Sequence, residues 1–242
     1  MRNIKLTIEY DGTNFLGWQI QHEGRTVQKV LEEALQGILQ ETVRLTVAGR
    51  TDTGVHALGQ VANFITERDL WLKEIKNGSN ALLPDDVLVH KAEEVPLEFN
   101  ARYAAKNKIY RYTILREPSI LKRHFGWYLK YPLCITDMEW AAEKLEGTHD
   151  FRSFCVGQSE KPNYRCTIKK IGWIKKKNEL AFSIEGNRFL HNMVRIVVGT
   201  LVDIGRGKID KNQIIEILNG KDRKLAGQTA PAVGLCLMRV KY

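Results

Sequence analysis

The sequence lacks any long uninterrupted apolar run. Nowhere in its 242 residues does a stretch approach the ~18 uncharged apolar residues that a membrane-spanning helix needs. The N-terminus enters an alternating strand pattern and has no apolar core of a signal peptide. Hydrophobic residues make up 43% and charged residues 27%, which is typical of globular chains and excludes disordered and collagen-like classes. We therefore expect a cytoplasmic protein that does not enter a membrane.

Patterns for metal binding and redox chemistry are also missing. The cysteines form no C-x-x-C pair, and the six histidines show no H-E-x-x-H or other close ligand spacing. We expect no metal, and we expect the cysteines to be reduced, small core residues. The four cysteines are Cys134, Cys155, Cys166 and Cys236.

Charge is unevenly distributed along the chain. The net charge is +9, but residues 1–105 carry −4 and residues 106–242 carry +13. This imbalance indicates a polyanionic partner for the second half. The charge alone does not distinguish a nucleic-acid partner from a positive surface that only keeps the protein soluble.

The first half contains legible strands and helices. Residues 4–10 alternate as a strand and break at a turn signal, Asp11-Gly12. Apolar residues at helical spacing from Val27 to Leu39 predict a helix with Thr26 at its N-cap. Two strand-like runs (45–48 and 60–65), a second helix (70–83) and a strand (87–90) follow.

The second half repeats these ingredients. Strands are predicted at 108–115 and 234–240, and residues 166–174 and 180–185 predict a hairpin. A capping box at Thr136–Glu139 predicts a helix that ends at Gly147. Further helices are predicted at 189–204 and 210–218. Two such halves indicate a pseudo-duplicated α+β chain, with lobes 1–105 and 106–242 and a site between them.

The glycine-rich segment 48–60 is the most unusual part of the chain. Gly49 and Gly54 have the spacing of a phosphate-binding loop, but Val55-His56 stands where Lys-Ser/Thr is required. Asp52-Thr53-Gly54 matches the D-T-G of aspartic proteases, which need two carboxylates that share a proton. The chain has no second D-T-G or D-S-G, although a homodimer could supply one.

A third interpretation makes Asp52 a solitary nucleophile or electrostatic stabiliser. In an extended stretch Arg50 and Asp52 point the same way, and a nearby guanidinium keeps a partly buried carboxylate ionised. The structural alternative is an Asx-turn, in which Asp52 caps its own backbone and Arg50 is solvated. The residues alone leave both open.

The same segment resembles the catalytic motif of the tRNA pseudouridine synthase A (TruA-type) family, G-R-T-D-x-G-V-H-A. Other motifs of that family follow in its order, so the resemblance covers essentially the whole chain. They occupy residues 10–19, 26–28, 99–112, 147–151, 189–195 and 229–231. Two departures, Thr53 for alanine and Cys236 for tyrosine, concern packing.

The resemblance implies a fold and a reaction. The fold is α+β, with two similar lobes, a mainly antiparallel sheet flanked by helices, and an active cleft between the lobes. The reaction is the isomerisation of uridine to pseudouridine in the tRNA anticodon stem-loop, at positions 38–40, by a homodimer. No redox change and no external group are involved, so no cofactor is required.

The resemblance also implies site residues. Asp52 is the essential carboxylate, Arg195 pairs with it, and Tyr110 lies against the target uracil. Arg50 holds the flipped-out nucleotide. The corresponding structural alternatives are a core aromatic for Tyr110 and a solvent-facing arginine for Arg195.

A lysine cluster borders the predicted hairpin. Such a cluster is usually just a solvated turn. Beside an RNA-modifying site, however, it predicts a surface that contacts phosphates without reading sequence. A catalytically silent module that binds folded tRNA is the alternative to the enzyme. The cluster consists of Lys169, Lys170, Lys175, Lys176 and Lys177.

Overall fold

A computed structural model describes residues 1–157 and 163–242. Over this part, the chain forms two compact units, Met1–Lys106 with Cys236–Tyr242 (the first unit) and Asn107–Leu235 (the second unit). The helices are α1 Val27–Leu39, α2 Leu72–Leu82, α3 Ile135–Glu143, α4 Met193–Gly205 and α5 Gln213–Gly220. The strands are β1 Arg2–Tyr10, β2 Thr46–Val47, β3 His56–Thr66, β4 Val87–Val95, β5 Asn107–Leu115, β6 Trp127–Tyr128, β7 Gly147–Asp150, β8 Arg165–Lys175, β9 Glu179–Gly186 and β10 Leu235–Lys241.

The first unit contains a sheet in the order β4-β1-β3-β10, with β2 also paired to β3. β1 is antiparallel to both β3 and β4, whereas β10 joins β3 in parallel. The register of β1 against β3 shifts between Ile8 and Tyr10, so that Tyr10 lies opposite Ala57. Such irregularities re-aim side chains at strand ends.

Helices α1 and α2 pack against each other, and α2 also packs against β4. Most of the predicted apolar stripe of α1 is buried, and Thr26 is the N-cap residue of the helix. The Thr26 hydroxyl makes no cap hydrogen bond. The helix is thus stabilised by its buried face, as amphipathic helices of globular proteins generally are.

The second unit contains an antiparallel sheet in the order β5-β9-β8-β7, with the short β6 added in parallel to β5. The predicted hairpin is confirmed as β8 and β9. Helix α3 packs against α4 and β8, and nearly every residue of α4 is buried. Strands that are mainly antiparallel, with helices beside them, confirm the predicted α+β class.

Two helix starts were predicted wrongly. Helix α3 begins at Ile135 and ends at Glu143, and its N-cap is Cys134, which makes no side-chain cap bond. The Thr136 capping box therefore does not form. Helix α4 begins at Met193, not near Phe189, because Asn192 adopts a left-handed conformation (φ 59°) that interrupts the helix.

Strand β3 also begins earlier than predicted, at His56. Its first residues pair with two other strands, His56 with Cys236 and Ala57 with Tyr10. Residues 56–60 of the glycine-rich segment are therefore strand, and the irregular loop is confined to the residues before His56.

Candidate active site

The Asp52 loop, residues 49–55, joins β2 to β3 and is held by backbone hydrogen bonds. Trp18 N–H donates to the Thr51 carbonyl at 3.1 Å, and Gly54 N–H donates to the Phe15 carbonyl at 3.2 Å. Val55 N–H closes a turn onto the Asp52 carbonyl at 3.1 Å. The segment after β1 thus fixes the loop on both sides of the aspartate.

Two glycines allow this close approach. A Cβ at Gly12 would lie 2.1 Å from the Val55 carbonyl oxygen. At Gly17, whose φ is +90°, it would lie 2.6 Å from the Thr51 carbonyl oxygen. Only glycine permits these contacts, and only glycine readily adopts the conformation at position 17.

A buried polar cluster lies beneath the loop. The Tyr10 hydroxyl is 2.7 Å from Thr51 Oγ1, and Gln60 Nε2 donates to the Gly49 carbonyl at 2.8 Å and to the Tyr10 hydroxyl at 3.4 Å. Burial raises the pKa of Tyr10 well above its ordinary value, so the phenol stays neutral. Sequence reasoning assigned no role to Tyr10 or Gln60, because their partners are distant in the chain.

Asp11 and His56 fasten the turn after β1. Thr13 donates to Asp11 Oδ1 from its backbone N–H at 2.9 Å and from its hydroxyl at 2.5 Å. His56 Nδ1 is 3.0 Å from Asp11 Oδ1 and accepts from Gly12 N–H at 3.0 Å. Partial burial pulls the pKa of Asp11 upward, but the two hydrogen bonds from Thr13 pull it downward, and the net pKa is lowered.

The structure places Asp52 partly buried and Arg50 exposed within this unit. The bond that closes the turn uses the backbone carbonyl of Asp52. A carboxylate at this position is supported by fixed main chain while part of it remains accessible to solvent. That combination suits a group that must meet a large substrate.

Tyr110 lies in β5 of the second unit, opposite Ile184 of β9. Its side chain is 6% exposed, and its ring meets Phe189 edge-on, with centroids 5.1 Å apart and an interplanar angle of 86°. Phe189 therefore fixes the plane of the tyrosine ring.

Arg195 lies in the first turn of α4 and is partly buried. Its Nε donates to the Ala230 carbonyl at 2.8 Å, and its Nη1 donates to Asn192 Oδ1 at 2.7 Å. Ala230 N–H returns a bond to the Arg195 carbonyl at 3.0 Å. His191 and Asn192, which the predicted helix 189–204 included, precede α4 instead.

The segment that supplies Ala230 is itself fixed against α4. A Cβ at Gly199 would lie 1.8 Å from the Gln228 carbonyl oxygen. Gly227 N–H donates to Thr200 Oγ1 at 3.0 Å, and Gln228 donates to the Asp203 carboxylate. The carbonyl that receives Arg195 is thus held by the same helix that carries Arg195.

The five lysines of the predicted cluster are all exposed on β8 and the turn that follows it. The register of β8 against β9 shifts between Ile168 and Lys170. This irregularity leaves both Lys169 and Lys170 facing solvent. The geometry suits contacts with a polyanion.

The described residues, 1–157 and 163–242, contain no group of three or more His, Cys, Asp or Glu side chains that could hold a metal ion. No helix in the same ranges has both the length and the apolar character needed to cross a membrane.

Comparison with known proteins places the chain in a family. A family model described as tRNA pseudouridine synthase matches residues 6–104 and 141–242. The chain belongs to this family.

Related proteins match this chain along its entire length. The tRNA pseudouridine synthase A of Acetivibrio thermocellus is 46% identical over 245 residues and that of Pelobacter propionicus is 46% identical over 247, each covering 100% of both chains. The Halalkalibacterium halodurans protein of the same name is 44% identical over 97% of this chain and 90% of its own. The predicted family is confirmed.

One solved structure is also similar, a crystal structure of a Cbf5-Nop10-Gar1 complex. It has a TM-score of 0.41 and 11% identity, and the match covers 97% of this chain and 48% of that one. A likeness of this size carries no argument about the site.

The family match falls unevenly on the predicted site residues. Arg50, Asp52 and Arg195 lie inside the matched ranges, whereas Tyr110 lies between them. In this member of the tRNA pseudouridine synthase family, the role assigned to Tyr110 therefore rests only on the resemblance of residues 99–112 to the family motif. All four roles, and the pairing of Asp52 with Arg195, stay predictions.

Proposed function

We propose that this protein isomerises uridine to pseudouridine at positions 38–40 of the tRNA anticodon stem-loop, as a cytoplasmic homodimer. Family membership over the full length supports the reaction class. The surplus of positive charge in the second unit, with 23 basic against 13 acidic residues, supports a polyanionic substrate.

The Asp52 loop is the observation that carries the chemistry. The reaction breaks the bond between N1 and C1′ of uridine, rotates the uracil, and joins C5 to C1′, with loss of the C5 proton and gain of a proton at N1. A single carboxylate suffices if it attacks C1′, attacks uracil C6, or removes a ribose proton to form a glycal. Each of these routes needs an ionised, well-oriented carboxylate, and the fixed main chain around Asp52 supports such an orientation.

Tyr110 and Arg195 have complementary roles in this proposal. The ring of Tyr110, fixed by Phe189, offers a face to the uracil, and its hydroxyl can accept or relay the C5 proton. The planar guanidinium of Arg195 pairs with the Asp52 carboxylate and holds its orientation.

Arg50 completes the substrate site. Its exposed guanidinium, within the Asp52 loop itself, is suited to hold a nucleotide that has left the stack, since a stacked base cannot reach a carboxylate. Phosphate contacts from the lysines of the second unit would position the stem without reading its sequence.

Tritium release from tRNA tests the reaction. With tRNA labelled at uracil C5, the protein should release tritium, because C5 must lose its hydrogen when it bonds to C1′. A matched tRNA with cytidines at positions 38–40 should release none. Equal release from both tRNAs would refute the proposed position, and no release from either would refute the reaction.

A further inference from the structure

Asn192 has a backbone conformation that is unusual for its position. It is the N-cap of α4, but it has φ 59° and ψ 5°, whereas N-cap residues generally have extended dihedral angles. An N-cap asparagine normally accepts a hydrogen bond from a backbone N–H of the first turn. Asn192 makes no such bond.

The amide of Asn192 is directed to Arg195 instead. Its Oδ1 accepts from Arg195 Nη1 at 2.7 Å, while Arg195 Nε is bonded to the Ala230 carbonyl. A guanidinium only donates, so the oxygen of the amide must face Arg195. The left-handed backbone thus turns a potential capping group into an acceptor for this side chain.

The other end of the amide extends the chain of hydrogen bonds. Asn192 Nδ2 lies 3.2 Å from His191 Nε2, which must therefore accept, and His191 Nδ1 then carries the proton and donates to the Val156 carbonyl at 3.1 Å. Val156 N–H donates back to the His191 carbonyl at 3.2 Å. The Asn192 amide is consequently fixed from both sides.

We propose that Asn192 is a positioning residue for Arg195, an inference that rests on the proposed function of Arg195 as the partner of Asp52. Two acceptors, the Asn192 amide and the Ala230 carbonyl, fix two nitrogens of one planar fork. The guanidinium then meets the carboxylate in a preset orientation and loses little freedom on doing so.

A substitution by glycine separates this role from a structural one. Asn192→Gly retains the left-handed backbone, which glycine adopts readily, and removes only the amide. If Asn192 served only the backbone, this variant would match the wild type. Lys221→Gly is the matched control, since Lys221 is an exposed residue with φ 52° at the end of α5.

We expect Asn192→Gly to lower kcat for tritium release about 10- to 100-fold, as small misplacements of reacting groups do, with KM for tRNA and the melting temperature nearly unchanged. In an Arg195→Lys background, the same substitution should lower kcat less than about threefold, because the amide acts through the guanidinium. An unchanged kcat in Asn192→Gly, or an equal decrease in both backgrounds, would overturn the proposal.

A spectroscopic measurement keeps this test independent of the proposed reaction. In protein labelled with ¹⁵N-arginine, the Arg195 guanidinium signals, assigned by their loss in Arg195→Lys, should show hindered rotation. In Asn192→Gly the guanidinium should rotate freely, so that its separate signals merge into an averaged one. In Lys221→Gly the signals should stay separate. If the wild type releases no tritium, the proposed function fails, whereas unaltered Arg195 signals in Asn192→Gly refute the positioning role itself.

Discussion

The two units hold their principal polar residues in different ways. In the first unit, the main chain around Asp52 is fixed by backbone hydrogen bonds and by glycines that allow two segments to touch. In the second unit, the Arg195 side chain projects from helix α4, and its nitrogens donate hydrogen bonds to the Ala230 carbonyl and to Asn192 Oδ1.

This difference predicts where each unit is vulnerable. A residue oriented by main chain tolerates changes in neighbouring side chains but not an added Cβ at a contact point. A long side chain with five donors tolerates backbone adjustment but depends on each acceptor that restricts its rotamers. The charge also differs, with 14 basic and 15 acidic residues in the first unit against 23 and 13 in the second.

After loss of the Asp52 carboxylate itself, the largest effect should follow removal of the arginine fork. Arg195→Ala should lower the single-turnover rate of tritium release about 1000-fold, or about 4 kcal/mol at 1.36 kcal/mol per tenfold change. The fold should survive, because the buried residues of α4 remain. Arg195→Lys should recover only part of the rate, since an ammonium cannot form the two observed bonds in one plane. A rate within tenfold of wild type for Arg195→Ala would contradict this role.

A Cβ in the backbone contact of the first unit should destabilise the protein. Gly12→Ala places a methyl 2.1 Å from the Val55 carbonyl oxygen. Overpacking of this kind costs about 1–3 kcal/mol, which urea denaturation measures.

Gly172→Ala is the control for this substitution, because a Cβ at that position meets nothing within 4 Å. It should change the free energy of unfolding by less than about 0.5 kcal/mol. Equal stability of the two variants would show that the close approach at Gly12 is not required.

Charge reversal should distinguish the surfaces of the two units. Glutamate at the five lysines of the β8 cluster should weaken tRNA binding and lower the log–log salt slope by roughly 0.7–0.9 per lost phosphate contact. Lys29→Glu with Lys73→Glu, at exposed positions of the first unit, should leave the slope nearly unchanged. Identical slopes for the cluster variant and the wild type would place the tRNA elsewhere.

The smallest effect concerns the acid stability of the first unit. The folded pKa of Asp11 is lowered from the ordinary 3.8, so its ionised form stabilises the fold above that pH. This contribution is lost as pH falls through the lowered value. The difference in melting temperature between wild type and Asp11→Asn should therefore shrink between pH 6 and pH 3, and a constant difference would argue against the ionised carboxylate.

The sequence predicted those helices and strands whose apolar residues recur at regular helical or strand spacing. The apolar spacing from Val27 to Leu39 and the alternation of residues 4–10 correspond to α1 and β1. The apolar spacing misled at the start of α4, because Leu190 continues it, whereas the αL conformation of Asn192, which interrupts the helix, leaves no mark in that spacing.

Long-range pairing explains what the sequence could not reveal. The C-terminal strand was predicted, but nothing in residues 235–241 indicates that it joins β3 of the first unit. Likewise, the Asp52 loop stood out by its glycines, whereas the contacts that fix it come from residues 10–18 and from Gln60. Those partners are identified only once the chain has folded.

Asp52 is the residue on which the proposed reaction depends most. Asp52→Asn is nearly isosteric and retains the backbone bonds of the loop, so the variant should bind tRNA within a few fold of wild type and release no tritium from uracil C5. Asp85→Asn, at an exposed carboxylate of the same unit, should release tritium at the wild-type rate. Tritium release by Asp52→Asn at the wild-type rate would contradict the assignment of Asp52 as the essential carboxylate.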